Sequence, residues 1–308
     1  MFCVVQNFAV SPGKLLPVRK PSGLQVGLFV GQNGYPYENL RPYAGDLPIL
    51  ARPAPDPFRI LSAQSKLQMR VTNSDFEAIA VPEFTGNEVH VWHVSLAGVR
   101  PAEERWASVL SADEKERARR FRFEKDRQNY VAIRALLRLI LASYAASAPE
   151  QLEFVYSKAG KPSLNCSNVR FNLSHSGDLA LLAFAKNREV GIDVEFVRRN
   201  VEIETIARRF FSPHEQQELA AIDGDERYDA FFRCWTRKEA YLKAIGAGLS
   251  IPLSGFDVSL APGIQDCLLK ASAEQSPASS WRVRDLSASD GYAAALCAEG
   301  RDWTVRNH

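Results

Sequence analysis

The chain of 308 residues predicts an α+β fold made of two subdomains. Two observations carry that prediction. Strand-like and helix-like patterns come in two successive sets, divided near residue 187. The composition, 46% hydrophobic and 24% charged, is that of a globular chain, and its length suffices for a core in each set.

Residues 1–87 stand apart from both sets. Nine of the 17 prolines precede Met69, with Pro53, Pro55 and Pro57 nearly adjacent, and no periodic apolar pattern develops. Such a segment buries too little apolar surface to offset the entropy of ordering it, so a loosely ordered extension is expected. Met1 and Met69 are the only methionines, which makes Met69 an alternative start of translation. An N-terminal mass determination on native protein tests this, and any residue found before Met69 excludes it.

The first subdomain, 88–187, opens on the alternating run 89–94, read as a strand. His90 and His93, three apart, fall on opposite faces of that strand and do not share a metal. Ser111 with Glu114 three residues on forms a helix-initiating capping box. The helical stretch that follows is basic, with Lys115, Arg117, Arg119, Arg120, Arg122, Lys125 and Arg127, although Glu114, Glu116 and Glu124 stand among them. A second helix over 126–146 carries Val131, Leu136, Leu137, Ile140, Leu141 and Tyr144. Short strands follow at 154–156, 169–173 and 180–185.

The second subdomain, 188–308, begins with a strand at 191–196 and a helix over 202–211. Ser212 is a good N-cap, with Pro213 at the first helical position. After an acidic loop at 223–226 comes a long helix over 228–245, which stops at Gly246. Strands near 280–284 and 292–297 close the chain.

A formal net charge of +2 argues against a polyanion-seeking surface, so nucleic acid is not an expected partner. No apolar run is long enough to span a membrane. The five cysteines are scattered, with no CxxC pair, and the amino terminus lacks the basic region of a signal peptide, which together point to the cytoplasm.

Two segments carry chemistry. In Gly191-Ile192-Asp193-Val194-Glu195, a strand puts Asp193 and Glu195 on one face. Paired carboxylates repel, and a hard divalent cation resolves the repulsion; a solvated acidic strand edge is the plainer alternative. In the helix from Phe231 to Ile245, residues Phe231, Phe232, Trp235, Leu242 and Ile245 define one apolar stripe, and Glu239 falls inside it. A carboxylate aimed at a core must be paired, protonated or metal-bound. Lys243, one turn on, makes either a site that holds a metal and handles a proton or a simple internal ion pair. Between these segments, Asn172-Leu173-Ser174-His175-Ser176-Gly177 ends a strand, and Gly160-Lys161-Pro162 makes a turn. Adjacent Ser and His side chains diverge, so phosphate contact from a turn suits Ser174 and His175 better than a nucleophilic dyad, with Lys161 adding a point charge. The P-loop and GxGxxG patterns are absent from the sequence.

Taken in order, N-L-S-H-S-G at 172–177, G-I-D-V-E at 191–195, F-F-S-P-H-E at 210–215 and W-T-R-K-E-A-Y-L-K at 235–243 resemble the 4′-phosphopantetheinyl transferases of the surfactin-synthetase-activating type. The G-K-P turn at 160–162 and the basic stretch 117–123 match as well, and the resemblance covers 88–308. The departures are the long N-terminal extension and Glu114, which stands where the family has a basic residue.

The resemblance implies two similar α/β subdomains related by a pseudo-twofold axis in a monomer, with coenzyme A between them. It implies Mg²⁺ held by Asp193, Glu195 and Glu239, with Glu239 as base and Lys243 at the leaving phosphate. Lys161, Ser174 and His175 would contact coenzyme A phosphates, and Arg117 and Arg134 would lie near the adenosine 3′-phosphate. The partners implied are apo acyl or peptidyl carrier proteins. Two other readings use the same residues: a Mg²⁺-dependent phosphohydrolase or nuclease, and a carrier-docking module without catalysis.

Overall fold

A computed structural model describes residues 29–30, 36–37, 69–70, 79–97, 103–271 and 277–308. The expected looseness of 1–87 and the alternative start at Met69 fall largely outside these. In the unit Ala9–Lys66, β1 (Phe29–Val30) and β2 (Pro36–Tyr37) pair antiparallel.

Among the described residues the remaining unit holds two larger sheets and two small two-stranded ones, Phe154–Tyr156 with Pro162–Leu164 and Asp257–Val258 with Leu268–Lys270, and the mixture of helices and strands is α+β as predicted. Its strands in chain order are β3 (Met69–Arg70), β4 (Glu88–Ser95), β5 (Phe154–Tyr156), β6 (Pro162–Leu164), β7 (Val169–Ser176), β8 (Leu179–Lys186), β9 (Val190–Phe196), β10 (Asp257–Val258), β11 (Leu268–Lys270), β12 (Trp281–Asp285), β13 (Tyr292–Glu299) and β14 (Thr304–Asn307). The helices are α1 (Glu103–Ser108), α2 (Ala112–Arg119), α3 (Glu124–Ala145), α4 (Ile203–Phe210), α5 (Pro213–Ala220) and α6 (Glu226–Ile245).

The first sheet has the order β14-β4-β8-β7, with β3 also on β4; the second has the order β12-β13-β9. Strand β14, from the end of the chain, returns to pair parallel with β4. Helix α3 buries Leu136, Leu137, Ile140 and Leu141 in one core with Phe171, Leu182 and Phe184 of the first sheet. Helix α6 covers the second sheet, sharing a core with Val283, Ala295 and Cys297. A third core, with Val91, Leu181, Ala183, Ile192, Val194 and Leu296, lies between the sheets.

One device occurs twice along the chain. Ser111 and Glu114 form a capping box at α2, and Ser212 and Glu215 form another at α5. Each glutamate is buried and reaches the long helix that follows. Glu114 pairs with Arg134 and with Arg138 of α3, the latter at 2.7 Å. Glu215 pairs with Lys238 of α6 at 2.7 Å. A buried carboxylate without a cation would be strongly unfavourable, so each box is tied to the long helix that follows it.

Most boundaries fall within two or three residues of the sequence expectations, but one difference matters. The 172–177 segment is not a turn: Asn172, Ser174 and Ser176 lie within β7, and the turn begins at Gly177, at φ +57°. Strand pairing to β8 runs through Ser176 and Leu179, which carries the strand past its apolar part. Helix α1 and the strands β6, β10, β11 and β14 were not anticipated; each spans only a few residues.

His90 donates or accepts at Tyr144 Oη, 2.7 Å away, and His93 meets Asn307 at 3.2 Å, so both serve the framework.

Candidate active site

Gly191 decides where α6 sits. An added Cβ there would stand 2.2 Å from the Ala240 carbonyl oxygen and 2.3 Å from the Ala244 nitrogen. Only a residue without a side chain lets the helix backbone lie directly on β9. Ala240 and Ala244, a turn apart and both fully buried, present the matching small surface. That contact brings Glu239 and Lys243, neighbours of those alanines in sequence, against the Gly191, Asp193 and Glu195 face of β9.

All four side chains are buried, between 2% and 6% exposed. Lys243 Nζ donates to Asp193 Oδ1 at 2.7 Å, to Ser174 Oγ at 3.1 Å and to the Ile192 carbonyl at 3.2 Å. Ser174 Oγ donates to Asp193 Oδ1 at 2.8 Å. Ser176 Oγ donates to Glu195 Oε2 at 2.8 Å. Asp193 Oδ2 and Glu239 Oε2 are buried and have no hydrogen-bond partner.

The electrostatics match this crowding. Burial, with the Asp193 charge adding to it, pushes Glu195 up to about 8. The same two causes push Glu239 up to about 7, against the pull of Lys243. Burial, reinforced by the Lys243 ammonium, depresses half-buried His175 to about 4. His175 is therefore a neutral imidazole near pH 7, offering a hydrogen bond and no positive charge.

The donor chemistry fits a hard divalent cation: carboxylates that repel one another, with two orphaned oxygens among them. Among the described residues, no group of three or more His, Cys, Asp or Glu side chains is arranged as a ready metal cage. Lys243 instead occupies one oxygen of Asp193.

Comparison with known proteins gives the family. The 4′-phosphopantetheinyl transferase superfamily model matches residues 189–297, and the 4′-phosphopantetheinyl transferase N-terminal model matches 99–187. The chain is 37% identical over 221 residues to the 4′-phosphopantetheinyl transferase HetI of Nostoc sp., covering 70% of this chain and 90% of that protein. The chain belongs to the 4′-phosphopantetheinyl transferase family. The transferase is also 32% identical over 201 residues to the 4′-phosphopantetheinyl transferase Sfp of Bacillus subtilis, covering 65% of this chain and 87% of that one. Among solved structures, the holo-acyl-carrier-protein synthase of Thermotoga maritima overlaps 37% of this chain and 63% of its own, at 22% identity and a TM-score of 0.29.

The remaining predicted residues of the transferase are placed as follows. Lys161 is buried, with Nζ 2.6 Å from Glu189 Oε2 and 2.6 Å from the Ala244 carbonyl oxygen, at the last turn of α6. Arg134 is buried and engaged by Glu114, and its guanidinium lies 4.9 Å from the Phe154 ring centre. Arg117 is half-buried, 5.7 Å from the Tyr130 ring centre. The structure thus assembles Ser174, Asp193, Glu195, Glu239 and Lys243 in one place, and shows Lys161 and Arg134 engaged by protein partners.

Two features were missed. Ser176 touches Glu195 as Ser174 touches Asp193; the period-two spacing of Asn172, Ser174 and Ser176 was the available signal. Lys238, adjacent to Glu239, donates to Glu215 and to the Leu253 and Phe256 carbonyls, at 2.8 and 2.6 Å for the carbonyls. It is a core residue, and only its neighbours Glu239 and Lys243 reach the site.

Proposed function

We propose that this transferase moves the 4′-phosphopantetheine arm of coenzyme A onto a serine of an apo acyl or peptidyl carrier protein, releasing adenosine 3′,5′-bisphosphate. The observation that carries the reading is the meeting of Glu239 from α6 with Asp193 from β9, which also neighbours Glu195, with Lys243 beside all three. Carboxylates brought together from distant stretches repel, and a shared cation relieves that repulsion.

In the proposed reaction, Asp193, Glu195 and Glu239 would hold Mg²⁺, which supplies charge neutralisation for the pyrophosphate. Glu239, buried beside Asp193, would take the proton of the carrier serine hydroxyl, directly or through a water it orients. The serine oxygen bonds to the β-phosphorus as the bond from that phosphorus to the oxygen of the leaving nucleotide breaks. Lys243 would stabilise the departing phosphate through its positive charge, held in place by Asp193, Ser174 and the Ile192 carbonyl. Burial of the four side chains excludes bulk water, which strengthens each of these interactions.

Arg117 is proposed to meet the adenosine 3′-phosphate, with Arg134 supporting α2 through Glu114. His175 would contribute as a neutral hydrogen-bonding group beside the coenzyme A phosphates, and Lys161 supports the last turn of α6 through the Ala244 carbonyl. We further propose two α/β subdomains, 88–187 and 188–308, in a cytoplasmic monomer. Cys166, Cys234, Cys267 and Cys297 are free thiols, in keeping with a reducing compartment. No helix among the described residues is long and apolar enough to cross a membrane.

The phosphohydrolase and docking-module readings receive no support from the relatives. The test is to incubate the protein with Mg²⁺, coenzyme A and an apo carrier protein, then weigh the carrier. A mass gain of one phosphopantetheine arm is expected. Breakdown of coenzyme A with no carrier gain would overturn the proposal in favour of hydrolysis.

A further inference from the structure

Strands β7 and β9 run beside each other at the edges of separate sheets, and the bonds that join them come from β7 side chains. Asn172, Ser174 and Ser176 lie on one face of β7, each 5% exposed. Asn172 Oδ1 accepts from the Ile192 N–H at 2.9 Å. Ser176 Oγ accepts from the Phe196 N–H at 3.1 Å. Edge-strand amides that would otherwise be buried without partners are satisfied in this way. The row does a second thing at the same time: its two hydroxyls each hold one carboxylate of β9.

Ser174 is shared, because Lys243 also donates to its oxygen. Ser176 is not, and its geometry is the more constrained. A serine hydroxyl has a single proton to give. With the Phe196 N–H occupying one lone pair of Oγ, and Glu195 Oε2 at 2.8 Å, that proton points to the carboxylate. A short side chain anchored to the backbone of the residue following Glu195 has little freedom to deliver the bond elsewhere. One oxygen of Glu195 is thereby held in place, and the orientation of the whole carboxylate with it.

We propose that Ser176 is a positioning residue for the divalent-cation site: it orients Glu195 from β7 so that the carboxylate is aligned before the ion arrives. This inference rests on the proposed function, in which Asp193, Glu195 and Glu239 hold the ion. Partners that orient a ligating side chain typically change metal affinity about 10- to 100-fold when removed. An effect of that kind acts on ion affinity, whereas simple loss of packing acts on the folded population.

The test compares Ser176→Ala and Ser176→Thr with the parent protein, using Mn²⁺ alone as probe and electron paramagnetic resonance to count free ion. Far-UV circular dichroism and thermal unfolding establish that each protein is folded. Ser176→Ala is expected to weaken Mn²⁺ binding about 10-fold or more. Ser176→Thr, which keeps the hydroxyl, is expected to retain most of the affinity. In turnover, the Ala variant should need more cation for half-maximal rate, with a smaller change in kcat. Equal Mn²⁺ affinity in the parent and a folded Ser176→Ala protein overturns the role of Ser176 while leaving the ion site intact. Absence of Mn²⁺ binding by the parent overturns the ion site itself. Should Ser176→Ala not fold, Ser176→Thr decides: loss of affinity in a folded Thr protein refutes the proposal, and retention supports it.

Discussion

Replacing Gly191 with alanine tests the packing that assembles the site. The new Cβ would sit 2.2 Å from the Ala240 oxygen, 2.3 Å from the Ala244 nitrogen and 2.8 Å from the Ala244 Cα. These are backbone atoms of a 20-residue helix, so no side chain can rotate away to make room. Reaching ordinary contact requires α6 to recede from β9 by about 1 Å. Overpacking of this kind destabilises a core by roughly 1–3 kcal/mol, and more where the backbone resists. The displaced segment carries Glu239 and Lys243, while Asp193 and Glu195 stay on the strand, so the same shift pulls the site apart. A misplacement of about 1 Å can lower turnover about 10²-fold. The measurement pairs a thermal unfolding curve with carrier-modification kinetics on the same sample. A Gly191→Ala protein with the parent's unfolding midpoint and turnover would refute the account of how the helix and strand meet.

Glu239→Gln should leave the fold intact and lower carrier modification by about 10²-fold or more, the scale of losing a general base; full activity removes Glu239 from that role. Asp193→Ala should abolish cation-dependent turnover and release Lys243 from its partner, and an unchanged cation requirement counts against the ligand assignment. In protein stripped with a chelator, unfolding midpoints should fall as pH rises from about 5 to about 8. Glu195 and Glu239 have folded-state values raised to about 8 and about 7, above the 4.5 of a free carboxyl. Groups raised in this way favour the folded state below their unfolded pKa, and that contribution disappears as pH climbs through the folded values. Saturating Mg²⁺ should flatten the trend; a flat profile without cation rejects the reasoning. Lys238→Met should destabilise by roughly 3–5 kcal/mol in denaturant unfolding, because it strands Glu215 without its buried partner. A parent-like midpoint for that variant contradicts a structural role for the pair.

Several features of the site were legible from local patterns alone. Strand alternation placed Asp193 and Glu195 on one face, and helical spacing put Glu239 and Lys243 on the inward side of α6, because both periods are properties of the backbone itself. The capping box at Ser111 and the N-cap at Ser212 were readable because each is a short-range pattern of residue types, whereas the reciprocal bond from Glu215 came from the structure. What the sequence could not show was which local faces would touch. The extension of β7 to Ser176 depends on its pairing with β8, since no apolar alternation marks those positions. The attachment of Ser174 and Ser176 to the carboxylates of β9 joins strands from separate sheets, so no hairpin register announces it. Glu114 read as a departure in a basic stretch until α3 brought Arg134 and Arg138 against it. By itself, then, the sequence determined the fold class, the main helices and strands, and the faces their polar residues occupy. The tertiary structure alone decided which carboxylate meets which cation or hydroxyl, because that depends on contacts between segments that no local period encodes.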